Sequence, residues 1–302
     1  MIEVCDTYAS HVTTAESESQ IPMRTKKDLE AIHASGAAGF GYVDITMFNC
    51  PPFVMFTNGN DCPTCWHMLQ GLEYEPESLH LWSMIVPLAS SVCDIGTRCG
   101  EFSLVAAALR EDIPIISCEP NPDGFARLVV NVRANDAKNV IMKRVAASNQ
   151  DGFAKFGWVP KFIGHISSGG HIVDANVSDA GATILVVEIM RLDKIVEGID
   201  LGPRPAIKID VEGAEAQVFE GMMGVLKSKP DILLETFDQD ACDRITTLTA
   251  QFGYRYYLIE EDERRIVQID RLAARGTKQN SRNQFLSCRP PEAVLSLSSR
   301  AG

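Results

Sequence analysis

The sequence predicts an α/β fold built on a doubly wound, seven-stranded, mostly parallel sheet, preceded by an N-terminal extension. Three observations carry that prediction. Residues 92–100 read as a strand that ends in Asp94 and enters a turn with glycines at Gly96 and Gly100, after which Phe102, Val105 and Leu109 recur at helical spacing. Residues 206–215 repeat the arrangement: an apolar run ends at Asp210, Gly213 releases the chain, and Ala214, Val218, Met222 and Leu226 fall near one helix face. Between them, residues 113–118 form an apolar run that stops at Glu119, roughly 20 residues past the first turn, where an adjacent parallel strand presents a carboxylate to a ribose.

The extension is expected to occupy residues 1–75, the main domain residues 76–290 and a tail residues 291–302. A polar run spans residues 13–20, and residues 26–33 are a short helix candidate. Residues 42–57 are largely apolar and carry Pro51 and Pro52, which reads as two strands with a break between them. Residues 61–69 and 77–88 then look helical. The extension also holds Cys62 and Cys65 in a C-x-x-C, with Cys50 upstream and His67 two residues on. A Cys3His zinc site uses these residue types, but a second closely spaced pair is missing, so free thiols at a helix start are the expected reading and no metal site is assigned.

Within the main domain the glycines have distinct duties. Gly96 lets the backbone approach a ligand, and Gly100 lets the helix pack near the strand. Their Gly-x-x-x-Gly spacing departs from the G-x-G-x-x-G that a dinucleotide pyrophosphate calls for, and suits a ligand without phosphates. After Glu119, the run Pro120, Asn121, Pro122 ends the strand, caps a helix at Asn121 and supplies proline at its first position. Phe125, Leu128, Val129 and Val132 give that helix an apolar face.

Residues 140–145 are a third strand, and Ala146, Ala147 and Ser148 make a small-residue end that suits the flat face of an adenine. Residues 150–181 read as a Gly-rich insert or hairpin carrying His165 and His171, with residues 184–190 as its far edge. A loop of that length in a compact domain is usually functional or disordered, and it leaves the third strand on the side where a ligand at the strand ends is expected. His171, directly after Gly169 and Gly170, is therefore a candidate for removing a proton, ahead of His165; Asp210 is the other. Residues 231–234 form a fifth strand ending at Glu235, and residues 254–259 and 284–288 complete the seven.

The segments VCDIGTRCGEFSL, CEPNPDGFARLVVNVRAN, the Leu192-Asp193 pair, and IKIDVEGAEAQVFEGM followed by ILLE resemble the FkbM-type family of S-adenosylmethionine-dependent methyltransferases, in order from about residue 77 to 288. The resemblance implies a Rossmann-like class I methyltransferase with strand order 3-2-1-4-5-7-6 and an antiparallel seventh strand. It implies S-adenosylmethionine as cofactor, with Asp94, Gly96 and Gly100 at its methionine end, Glu119 at its ribose and Asp210 near the transferred methyl. The implied activity is O-methylation of a hydroxyl on a small metabolite or sugar. Thr97, Arg98 and Cys99 between the glycines depart from the family's small residues, and the insert over residues 150–181 fits it poorly.

Composition bounds the alternatives. The chain has 302 residues, 45% hydrophobic and 23% charged, with a net charge of -12 that argues against nucleic acid and anionic membranes as partners. An N-terminus carrying Glu3 and Asp6 lacks a signal-peptide pattern, and nine scattered cysteines suit a reducing, cytoplasmic setting. Three rivals stand: a nicotinamide enzyme, disfavoured by the glycine spacing; a binding protein that keeps the fold without catalysis; and a metal-dependent transferase using Asp210, Glu212 and Glu215.

Overall fold

Residues 40–47, 49–58, 62–158, 170–172, 183–236, 238–274 and 282–298 are described by the computed structural model. The helix candidate at residues 26–33, the polar run before it, and His165 with Gly169 lie outside the described residues.

The chain enters through an antiparallel hairpin, β1 (Phe40–Met47) and β2 (Cys50–Asn58). The reversal falls at Asn49, whose φ of 59° is a left-handed turn conformation, and not at the prolines. Pro51 and Pro52 lie inside β2, where the register shifts between Ile45 and Met47. A bulge at a sheet edge accommodates residues that cannot donate a ladder hydrogen bond. Helices α1 (Pro63–Leu69) and α2 (Pro76–Ile85) follow, each with proline in its first turn.

The central sheet then begins. β3 (Ser91–Ile95) leads through the glycine turn into α3 (Glu101–Leu109), β4 (Ile115–Cys118) into α4 (Pro122–Ala134), and β5 (Val140–Lys143) ends the first half. Asn121 caps α4 by accepting from the Asp123 N–H at 3.0 Å. All five residues of β3 are buried, as a strand with both faces covered requires.

The predicted insert is a second, four-stranded sheet. β6 (Ala146–Ser148), β7 (Gly152–Trp158), β8 (His171–Ile172) and β9 (Thr183–Arg191) assemble in the order β6-β9-β7-β8. After the short α5 (Leu192–Ile195), the central sheet resumes with β10 (Pro205–Ile209), α6 (Glu215–Glu220), β11 (Asp231–Glu235), α7 (Gln239–Ala250), β12 (Arg255–Glu260), β13 (Arg265–Ile269) and β14 (Asn283–Ser287). Its order is β13-β12-β14-β11-β10-β3-β4-β5, with β14 antiparallel to both neighbours. Without β13, that is the class I methyltransferase order 3-2-1-4-5-7-6. The eighth strand, β13, is an addition at the edge, hairpinned to β12.

Two regions at the ends of the chain join the core of the main domain. The expected tail forms α8 (Pro291–Ser298), whose Val294 is fully buried in the main core. Ile45, Phe53, Met55, Cys62 and Cys65 of the extension belong to that same core, so the hairpin is packed into the domain. It is also held by polar contacts. The outer edge of β2 pairs with side chains of α4: Asn131 Oδ1 accepts from Phe56 N–H and Asn135 Oδ1 from Val54 N–H, each at 2.8 Å. Asn135 Nδ2 donates back to Val54 O, and Arg127 donates to Phe56 O. Asn131 Nδ2 reaches the other way, to the carbonyl of Cys99 in the glycine turn.

Asn131 thus joins the hairpin to the turn. Asn131→Ala strands the Phe56 N–H and is expected to cost about 1–3 kcal/mol of stability. Urea denaturation of the full chain, with an unchanged slope, checks it.

Candidate active site

A cavity of about 770 Å³ opens over the C-terminal ends of β3, β4 and β10. Ligands of open α/β sheets bind at this end, where the strand order reverses. Here the reversal lies between β3 and β10.

The turn after β3 is forced by its neighbours. Gly96 has φ 83°, and a Cβ on it would stand 1.7 Å from the backbone oxygen of Asp210. No side chain fits that crossing. The N–H groups of Gly96 and Thr97 donate to Cys118 O, which hangs the turn over β4. Beneath it, Asp94 is 1% exposed, and its Oδ2 accepts from Thr97 Oγ1 and Ser103 Oγ, both at 2.6 Å. Burial pushes the Asp94 carboxyl up to about 6 against the pull of those hydroxyls. Gly100, with φ 96°, does not line the cavity; a Cβ there would meet Leu128 at 2.6 Å, so its duty is packing α3 against α4.

Glu119 lies beside the turn, 6% exposed. Its Oε2 accepts from Arg98 N–H at 2.8 Å and its Oε1 from Asn121 N–H at 2.7 Å. Burial outweighs those bonds and lifts the carboxyl to about 7. Asn121 also faces the cavity, and its Nδ2 is buried without a partner among the described residues. Along this wall run Val145, Ala146 and Ala147. Ser148 is displaced from the position the sequence suggested for it: its carbonyl packs against Gly221, 1.9 Å from where a Cβ would stand.

His171 also departs from expectation. Gly170 and Ile172 line the cavity and His171 between them does not, because side chains alternate along β8. Asp210 does line it. It receives the Lys208 ammonium at 3.4 Å. Burial opposes the charge on Lys208, yet Asp210, Glu75 and Glu235 hold its pKa above the ordinary value. Glu212 and Glu215 behave differently from one another: Glu212 lines the cavity, whereas Glu215 turns back to accept from Gly213 N–H at 2.8 Å. Among the described residues, Asp210, Glu212 and Glu215 do not bring three carboxylate oxygens within 4.8 Å of one another.

The thiols gather elsewhere. Cys62, Cys99 and Glu101 bring three ligand-type atoms within 4.8 Å, with Cys62 Sγ 3.8 Å from Glu101 Oε1. The hydrogen bond with Cys65 and burial push the Cys62 thiol well up, so it donates as a neutral thiol. Cys65 donates to Met55 O, His67 Nδ1 lies 2.7 Å from Pro63 O, and Cys50 donates to Pro51 O, which takes all three out of the zinc set the sequence suggested.

A family model described as the methyltransferase FkbM domain matches residues 94–256, more than half of the 302-residue chain. The chain belongs to this family. The FkbM span contains the glycine turn, Glu119 and Asp210. Over 142 residues the chain is 28% identical to the hexuronic acid methyltransferase AglP of Haloferax volcanii, covering 47% of this chain. The chain spans about half the length of that relative, 54%. Among solved structures, a SAM-dependent methyltransferase from Agrobacterium tumefaciens aligns with TM-score 0.44 at 8% identity, covering 83% of this chain and 72% of that one. A precorrin-6y C5,15-methyltransferase from Geobacter metallireducens GS-15 aligns with TM-score 0.40 at 14% identity, covering 72% and 89%. No helix among the described residues is long and apolar enough to cross a membrane.

Several residues of this site were not singled out by the sequence: Tyr74 and Glu75 before α2, Lys208 within β10, Glu261 after β12, and Asn283 at the start of β14. A lysine inside an otherwise apolar strand was the one signal available in advance.

The carboxylates set a pH dependence. Burial lifts Glu75, Glu119, Glu212 and Glu215 to about 7, and Asp210 together with burial lifts Glu235 to about 9. Each folded-state pKa lies above the unfolded value, so the stability gained from holding these protons is complete below about pH 4 and is lost as pH rises through 7 to 9. The ligand-free protein is therefore expected to melt at a higher temperature at pH 5 than at pH 8. Scanning calorimetry across that range checks it, and an opposite slope would refute the assignment.

Proposed function

We propose that this FkbM-domain protein is an S-adenosylmethionine-dependent methyltransferase that methylates a hydroxyl oxygen of a sugar or other small hydroxylated metabolite. One observation carries the reading: the cavity joins a buried strand-end carboxylate, Glu119, a cradle that admits only glycine at Gly96, and an unfilled side-chain donor, Asn121 Nδ2. Those features fit the cofactor. Glu119 would accept from its ribose hydroxyls, Asn121 Nδ2 would donate to an acceptor atom of the adenosyl group, and the Val145–Ala147 wall would lie against the base. Asp94 serves at one remove, by holding Thr97 and the turn.

When bound, the cofactor supplies a methyl on a cationic sulfur, already reactive toward an oxygen lone pair. The protein's share is to align the acceptor, exclude water and take up the hydroxyl proton. Asp210 lines the cavity just past the end of β10, and in this reading it would stand near the transferred methyl. His171 is not retained in a catalytic role. The printed name of the Haloferax volcanii relative supports a sugar acceptor. The net charge of -12 supports a small molecule over a nucleic acid or an anionic membrane as partner.

Glu119→Ala removes a charge-assisted bond of roughly 1.5–3 kcal/mol and is expected to weaken S-adenosylmethionine binding by more than about tenfold. Titration calorimetry measures this, and unchanged affinity removes the ribose role. A radiolabelled-methyl assay against small hydroxylated metabolites is expected to show transfer that survives chelator. Transfer lost in chelator and restored by magnesium would bring back the carboxylate metal site.

A further inference from the structure

We propose that Glu75 and Asn283 form the acceptor subsite of this enzyme, a pair of hydrogen-bond acceptors that binds two hydroxyls of a sugar ring, with Glu75 taking the proton of the hydroxyl that is methylated. The inference rests on the methyltransferase reading above and deepens it. Both residues lie outside the FkbM span at residues 94–256, one before it and one after it.

The geometry starts from the backbone. Glu75 precedes α2 with φ 41°, a left-handed conformation that a non-glycine residue adopts at a cost. The helix start there is held from outside: Glu261, from the turn after β12, accepts from the N–H groups of Glu77 and Ser78 and from the Ser78 hydroxyl. That contact clamps Glu75 over the cavity, which it lines. Its Oε2 is sealed from solvent and has no hydrogen-bond partner among the described residues.

Asn283 supplies the second acceptor. It is 4% exposed, lines the same cavity, and pairs with Glu235 across the β11–β14 ladder. Its Nδ2 donates to Glu261 Oε1 at 3.2 Å, which fixes the amide so that Oδ1 is left buried and unpartnered. An orphaned buried acceptor costs free energy unless a ligand donates to it. Two such acceptors on one cavity suit a ligand that carries several hydroxyl donors, and a sugar ring has them.

Glu75 is suited to receive a proton as well as a hydrogen bond. It faces Tyr74 from its own segment, Lys208 and Asp210 from β10, Glu235 from β11 and Glu261 from the turn after β12. Burial lifts its carboxyl to about 7, with Lys208 opposing and Asp210 and Glu261 reinforcing the rise. It therefore accepts a proton more readily than an ordinary glutamate. The acceptor oxygen forms its new bond to the methyl carbon as the carbon–sulfur bond breaks, with that electron pair passing to sulfur. The hydroxyl proton passes to Glu75 and then to solvent.

The experiment uses the full chain with radiolabelled S-adenosylmethionine and, as probes, the methyl glycosides of glucose, galactose and mannose with their uronic acids. Wild type is expected to methylate at least one, with kcat rising as pH increases through about 7. Glu75→Gln is expected to lower kcat about 100-fold or more, with cofactor Kd changed less than threefold and the acid limb gone. Asn283→Ala is expected to raise KM for the glycoside about tenfold with a smaller change in kcat. Carbon-13 NMR of the glutamate carboxyls in the product-bound protein, with Glu75→Gln as assignment control, is expected to show Glu75 titrating well above an ordinary glutamate.

Wild type that binds the cofactor yet methylates none of the glycosides overturns the sugar reading and the subsite with it. Turnover by wild type with Glu75→Gln equally fast overturns the subsite alone. Cofactor affinity lost in Glu75→Gln in step with kcat also overturns it, by giving Glu75 to the cofactor.

Discussion

One ammonium, that of Lys208, holds together the end of the sheet on which the site depends. It is 1% exposed, 3.4 Å from Asp210 and 5.1 Å from the centre of the Phe102 ring. An isolated buried charge is costly, and here Asp210, Glu75, Glu235 and Asp94 offset it from four separate segments. The dependence is mutual. Without the cation those carboxyls would hold their protons more tightly still, and with it the segment before α2 is drawn onto the ends of β3, β10 and β11. Placement of the extension is therefore an electrostatic matter as well as one of apolar packing.

The same constraint separates two kinds of carboxylate. Asp94 and Glu119 spend their oxygens on the chain itself, on Thr97, Ser103, Arg98 N–H and Asn121 N–H, and in doing so shape the glycine turn. Glu75 keeps an oxygen unspent, as does the amide of Asn283. The first pair shapes the cradle, with Glu119 keeping a further lone pair on each oxygen, and the second leaves acceptors wholly unpaired.

The parts legible in the sequence were those whose physics is local. A strand ending in an acid, a glycine turn and a helix recur at Asp94 and Asp210, and the cap at Asn121 with Pro122 behind it is read within three residues. The strand order came from the family resemblance and not from that repetition, which says nothing of how strands neighbour one another. What escaped depends on contacts far apart in sequence. Glu75 reads as the residue before a helix proline, and only Glu261 and Lys208, more than a hundred residues on, show that it is aimed into the cavity. His171 failed for a related reason, since the phase of a two-residue strand is set by its partner Gly157 and not by its own neighbours. The hairpin was visible as apolar segments, but its bend at Asn49 was not, because Pro51 and Pro52 are stronger turn signals than the bulge that absorbs them.

Asp210 sits where these two halves meet. Its backbone oxygen closes over Gly96 and its carboxylate meets Lys208, so it touches the cofactor cradle on one side and the carboxylate group around Glu75 on the other. The cradle turns on the backbone crossing at Gly96, which tolerates no side chain, so its form there can hardly vary. The opposite wall is made of side chains from the segment before α2 and from β14, on elements that need only pack. On the proposed reading, a fold divided in this way would keep one donor and take a different hydroxyl acceptor by changing residues such as Asn283, while the carboxylates around Lys208 stay in place.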